Sequence, residues 1–269
     1  MAADNAPGSM ADPCLLRRNQ CLSNQIAVSP DAPPEVVKFR LSPPHKHLCH
    51  LAIAMYDSGD MTSALKHFLE LAEIGYAPAQ CRVATMYLEG RGPNKDLPAA
   101  ARWMGKAAEE DLKFAQYIYA LMHANGVGVP RDDRVAASWM RRAADAGFSD
   151  AMVALAQLYA SGRGAPKDMA LAAEWFGKAA ERGDTFAQAE LADLLWKGDG
   201  VTPDREKAIE WYRKAAEGGD VPAQRKLGLA LLNDRRSDAR AAEGTRWLKM
   251  AADRGDDQAK AALAAEPAQ

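Results

Sequence analysis

The chain has 269 residues, 48% hydrophobic and 26% charged, with 34 Lys+Arg against 36 Asp+Glu. That balance excludes wholesale disorder, and it excludes a chain-wide surface for nucleic acid or anionic membrane. No uninterrupted apolar run approaches the roughly 18 residues a bilayer span needs.

Residues 1–45 read as a leader. Pro30, Pro33, Pro34, Pro43 and Pro44 make it extended and partly disordered. Met1 to Ser9 shows no basic region followed by an apolar one, so the expected compartment is the cytoplasm. The run Gly8-Ser9-Met10 keeps a periplasmic or secreted location open, should a leader once have stood before Met10. All four cysteines, Cys14, Cys21, Cys49 and Cys81, lie in the first third. Cys14 and Cys21 pair only across a loop, because seven residues of straight helix separate them by about 10.5 Å.

The next segment, His45-Lys46-His47-Leu48-Cys49-His50, holds four possible metal ligands. On a helix His47 and His50 share a face while Cys49 points elsewhere, so it reads as a polar helix start and no metal is expected. Cys49 and Cys81 each precede a matching pair, Leu51-Ala52 and Val83-Ala84, and so hold equivalent places on successive helices. Packed axes lie ~8–10 Å apart and a disulfide needs Cα atoms within about 7 Å, which favours two free thiols.

From Pro78 onward the chain repeats. Trp103, Trp139, Trp175, Trp211 and Trp247 recur every 36 residues. In phase with them run Ala100, Ala136, Ala172 and Ala208, then Gly147, Gly183, Gly219 and Gly255, then Ala115, Ala151, Ala187, Ala223 and Ala259. Glycine pairs, from Gly90/Gly92 to Gly198/Gly200, precede a phased Asp96, Asp132, Asp168 and Asp204. Each unit reads as two amphipathic helices. Asp168 is placed to cap the Trp-bearing helix (B) and Gly183 to end it. The Ala-Gln helix (A) then runs from Thr185 to Gly198. A lone pair cannot bury its apolar faces but stacked neighbours can, so the fold class is all-α, a solenoid of stacked antiparallel helix pairs over residues 46–265, with 266–269 a tail. Trp139 and Trp175 are expected to be buried between hairpins.

The pattern A-Q-x-x-L-A-x-L-Y-x-x-G-x-G-V, then D, then A-x-x-W-x-x-K-A-A-x-x-G resembles the Sel-one-like repeat (SLR) family of the tetratricopeptide-like superfamily, from about Pro78 to Lys260. That resemblance implies a right-handed superhelix that holds other proteins. In bacteria it implies roles in envelope regulation, secretion, host interaction or immunity to secreted toxins. Departures stand out. Leu51 to Ala72 looks like a plain tetratricopeptide hairpin, in which Phe68 rather than His67 serves the core. Asp111 replaces a phased Gly, Asp234 and Arg236 replace a Gly pair, and the helix near Ala259–Ala265 acts as a cap.

Chemical motifs are sparse. The Gly-x-Gly pairs follow helices and lack a Lys-Ser/Thr sequel, so they are helix–helix turns rather than phosphate loops. There is no G-x-S-x-G, H-E-x-x-H or C-x-x-C, and His123 stands where other units have Tyr87 and Tyr159, a structural position. Transferring the tetratricopeptide register puts Phe114, Tyr117, Leu121, Val153, Gln157, Phe186, Asp193, Trp196, Arg225 and Leu229 on the concave face. Several are apolar or aromatic, which suits a binding groove, with packing between helices as the rival reading. The expectation is a monomeric, non-enzymatic scaffold for a protein or peptide, with no cofactor and no nucleic acid. Two rivals stay open: a hydrolase of cell-wall-type substrates, and a Cys/His-based metal or redox regulator.

Overall fold

A computed structural model describes residues 41–92, 94–233 and 237–265. The leader up to residue 40 with Cys14 and Cys21, the Asp234–Arg236 departure and the tail lie outside the described residues. Among the described residues there are thirteen helices and no strand.

The chain divides into two compact units, one ending at Phe148 and one beginning at Ser149. The N-terminal unit holds α1 (Pro43–Ser58), α2 (Met61–Glu73), α3 (Ala77–Glu89), α4 (Leu97–Glu109), α5 (Lys113–Asn125) and α6 (Asp133–Asp145). The C-terminal unit holds α7 (Ser149–Ser161), α8 (Met169–Glu181), α9 (Thr185–Lys197), α10 (Arg205–Glu217), α11 (Val221–Asn233), α12 (Asp238–Asp253) and α13 (Asp257–Ala265). Odd-numbered helices are the A helices and even-numbered ones the B helices. Within each unit every helix packs on the next in sequence, the arrangement of a stacked-hairpin solenoid.

Local chemistry explains the boundaries. The B helices α4, α6, α8 and α10 each start at an aspartate whose carboxylate accepts first-turn N–H groups, and α12 starts at Ser237 instead. Asp96 accepts from Ala99 at 2.8 Å, Asp168 from Leu171 and Asp204 from Lys207 at 3.0 Å each. Asp132 accepts from both Arg134 and Val135, and these bonds to its ionised form hold its pKa below the usual carboxylate value. B helices end in a left-handed residue: Gly147, Gly183, Gly219 and Gly255 all have positive φ. Asp111, at that register, has φ +60°, so the one non-glycine obeys the backbone rule and departs only in side chain.

The phased alanines are buried throughout, which lets helix backbones approach closely. The Trp ladder corrects an expectation. Trp175 is buried, but Trp139 is half-buried, as are Trp103, Trp211 and Trp247. The deeper rung is the next residue: Met104, Met140, Phe176, Tyr212 and Leu248 are all buried. Phe68, expected as core, belongs to that same rung, beside a half-buried His67. One turn beyond four of the five ladder Trp residues a cation lies over the indole. Lys106 lies 4.2 Å from the Trp103 ring centre, Arg142 4.4 Å from Trp139, Lys178 3.9 Å from Trp175 and Lys214 3.9 Å from Trp211. Those lids let an indole remain partly at the surface.

The second glycine of a loop seats on the start of the preceding B helix. A Cβ on Gly128 would fall 2.0 Å from the Leu97 carbonyl oxygen, and one on Gly200 would fall 2.3 Å from the Met169 carbonyl carbon. Backbone meets backbone there, and no side chain fits.

Candidate functional site

The A helices carry one recurrent buried polar residue. Gln80, Gln116, Gln188 and Gln224 each send Nε2 back to a carbonyl at the end of the preceding B helix, Ala72, Ala108, Ala180 and Ala216, at 3.1–3.2 Å. This satisfies an orphan helix-end carbonyl and is structural. It fixes which A-helix residues stay available for other tasks.

In the N-terminal unit, Phe114 is buried in the core, its ring edge-on to Phe148 at 6.2 Å. It is a core side chain and leaves the candidate face. Tyr117 is half-buried with its ring 5.1 Å from Phe148, and Leu121 is half-buried against the same core. His123 lies edge-on to Tyr119 at 4.7 Å, in a ring cluster that includes Trp139. Cys49 and Cys81 are free and buried. Burial pushes their thiols up to about 11 and about 12, so neither forms a reactive thiolate near neutral pH. Among the described residues no three His, Cys, Asp or Glu side chains converge as a metal site requires.

In the C-terminal unit, Val153 and Gln157 on α7 are half-buried. Phe186, at the start of α9, is 42% exposed and touches Phe176 edge-on at 6.3 Å. Trp196, at the other end of α9, is half-buried against the local core, with the Arg205 guanidinium 5.2 Å from its ring centre. Leu229 packs against the α12–α13 core. Arg225 donates to Asp256 at 3.0 Å.

Asp193 anchors a polar group that sequence reasoning did not assemble. It accepts from the Tyr212 hydroxyl and from Lys226 Nζ at 2.7 Å. Burial, then the bond to Asp193, push the Tyr212 phenol above its ordinary range. Glu190, one turn earlier, has its pKa raised by burial and by the charge of Asp193. Asp193 is thus committed to two donors and is not a free base. The register gave a usable signal: Arg82, Ile118, Ala154, Glu190 and Lys226 share one A-helix place, and three of the five are charged.

The structure therefore brings Phe186, Asp193 and Trp196 onto one helix, with Lys226 of α11 bound to Asp193. It sets Phe114 in the core. Tyr117 and Leu121 belong to the other unit. No described helix is long and apolar enough to cross a membrane.

The comparisons agree on the architecture. The Sel1 repeat family matches residues 77–112, 113–148, 149–184, 185–220 and 221–256. A protective antigen present in uropathogenic Escherichia coli strains, displaying an SLR fold, is 31% identical with a TM-score of 0.74. That match covers 81% of this chain and 48% of the antigen, so the chain spans about half of it. A Sel1 repeat protein from Oxalobacter formigenes is 33% identical with a TM-score of 0.63, covering 78% of this chain and 86% of that protein. No protein of curated function matches the chain.

Proposed function

Because the chain belongs to the Sel1 repeat family, we propose that it is a non-enzymatic scaffold that binds a protein or peptide partner on the A-helix face of its C-terminal unit. One observation carries the reading. Phe186 is a large aromatic left 42% exposed at a place the repeat does not fix, which Pro78, Phe114, Asp150 and Pro222 fill elsewhere. Half-buried Asp193 and Trp196 follow further along the same helix, and half-buried Arg225 and Leu229 lie on the next A helix, adding polar and apolar side chains. An exposed aromatic beside satisfied ion pairs supports recognition over catalysis, since Asp193, on which Tyr212 and Lys226 converge, is already hydrogen-bonded twice. The protein acts as a monomeric adaptor in a bacterial cell. The two buried free thiols support a reducing compartment such as the cytoplasm.

Affinity capture with the intact chain, followed by calorimetry with the recovered partner, tests this. Phe186→Ala and Trp196→Ala should each weaken binding by at least ~2 kcal/mol, about 30-fold. Phe186→Ala should leave the melting temperature nearly unchanged. Unaltered affinity in both folded variants would remove this face from the function.

A further inference from the structure

Arg82, on α3 in the N-terminal unit, is only 9% exposed, yet its Nε is buried without an acceptor. Its guanidinium lies over the Tyr56 ring of α1, 4.8 Å from the centre. The contrast with Lys226 at the same register is direct, because Lys226 is neutralised by Asp193 of the preceding A helix at 2.7 Å. Aligning Ala52 of α1 with Ala192 of α9 puts Ile53 where Asp193 stands, so the preceding A helix has no carboxylate at that place. A second arginine reaches the same aromatic from the rim. Arg91 donates to the Tyr56 hydroxyl at 3.1 Å and pairs with Glu89 at 2.9 Å, with about half of its side chain exposed. Glu89 is therefore taken. Of the two arginines, the exposed one is paired, and the buried one shows no ion-pair partner among the described residues.

Arginine cannot shed its charge as a buried lysine can, so its burial calls for an acceptor. A planar guanidinium with an unpartnered Nε–H, backed by an aromatic face, fits the two oxygens of a carboxylate. One guanidinium without an ion-pair partner matches a monoanion. We propose that Arg82, with Tyr56 and Arg91, forms a carboxylate-binding site between α1 and α3. The ligand is an acidic side chain of a bound peptide, or one of Asp4, Asp12, Asp31 and Glu35 of this chain's own first 40 residues. The proposal deepens the scaffold reading by naming a ligand chemistry. It concerns the other unit and is tested without the unidentified partner, so either can fail alone.

The test titrates the full chain with an acetylated, amidated Glu-Glu-Glu peptide and with its Gln-Gln-Gln counterpart. Binding is followed by calorimetry and by the NMR signals of the arginine Nε–H groups. The Glu peptide should bind and move the Arg82 signal, and the Gln peptide should not. R82M should weaken binding by about tenfold or more, and R82K by less, since lysine keeps the charge but loses the fork. A second arm uses the full chain with D4N, D12N, D31N and E35Q. If only this neutralised chain binds the Glu peptide, and R82M abolishes that binding, the site is real and its resident ligand is the chain's own carboxylate. If neither chain prefers Glu over Gln, or if R82M binds as well as its parent, the proposal is wrong. Should R82M fail to fold, an Arg82 Nε–H signal that stays still during titration of both unmutated and neutralised chains overturns it equally.

Discussion

The two units use the same register in different chemistry. In the N-terminal unit the A helices α3 and α5 open at Tyr76 and Leu112, and Phe148 closes that unit at the same place. In the C-terminal unit that place holds Asp184, Asp220 or Asp256. The aspartates accept first-turn N–H groups from Ala187 at 2.8 Å, Ala223 at 2.6 Å and Ala259 at 2.9 Å. Tyr76 and Leu112 make no side-chain cap, and both pack into the core. The contacts about one helix pair apart differ in emphasis between the units. Phe148 contacts Phe114 and Tyr117 of the previous A helix, and Tyr119 contacts Trp139 at 5.5 Å. In the C-terminal unit, alongside the Phe176–Phe186 ring contact, three pairs about one repeat apart are ionic: Arg213 with Glu243 at 2.8 Å, Arg225 with Asp256, and Arg240 with Glu206, each at 3.0 Å. The N-terminal unit has such a pair in Arg142 with Asp111 at 3.0 Å. One backbone thus tolerates either apolar or ionic coupling between repeats. The apolar form spends its aromatic side chains on cohesion, and the ionic form leaves Phe186 out of the core.

Replacing Phe176, a buried rung, by Ala should produce the largest effect, about 3–5 kcal/mol in urea melts, confined mainly to the C-terminal unit. Trp139→Ala in the N-terminal unit should cost roughly half as much, because its indole is half-buried under Arg142. Equal losses would put the Trp and its successor at the same depth and undo the corrected register.

The capping contrast predicts smaller changes of opposite logic. Asp220→Ala should cost about 1 kcal/mol, the worth of an N-cap. Leu112→Asp, which installs the other unit's cap, should still destabilise, since Leu112 packs against the core. A more stable Leu112→Asp would show that the apolar opening contributes nothing.

The smallest expected effect is electrostatic. The Glu190 pKa is raised by burial and Asp193, against partial relief from Lys226 and Lys197. A raised carboxylate costs stability while ionised, above its folded pKa, and costs nothing below its ordinary value of 4.5. Glu190→Gln should therefore be slightly more stable at pH 7, by less than about 1 kcal/mol because water screens a half-exposed group. The advantage should fade as the pH falls through the raised pKa. A gain independent of pH would mean that packing, not charge, is responsible.

The period, the helix pairs, the aspartate caps and the left-handed glycines were legible because each is a local rule repeated in phase. Asp111 tested that legibility, since its backbone follows the glycine rule without being glycine. Depth was less legible. A repeat reveals which residues are equivalent, not how far each sinks, so Trp was taken as the rung although Met104, Met140, Phe176, Tyr212 and Leu248 follow it in phase. The Lys or Arg three residues after four of the five ladder Trp residues was the available sign that these indoles meet solvent under a lid. The candidate face was read only in part for the same reason. Phe114 and Phe186 share a register, yet the first is buried against Phe148 and the second is exposed, because Asp220 stands where a counterpart of Phe148 would cover it.

The close seating of Gly128 on Leu97 and of Gly200 on Met169 has a consequence for how such a chain diversifies. The step from one hairpin to the next is gauged there by main chain against main chain, so it does not depend on the identity of the residues between. Mutation can redraft the exposed register, trading Arg82 for Glu190 or Phe186 for Pro222, while the ruler that spaces those places stays unchanged. Such a chain can acquire a new binding specificity without acquiring a new geometry.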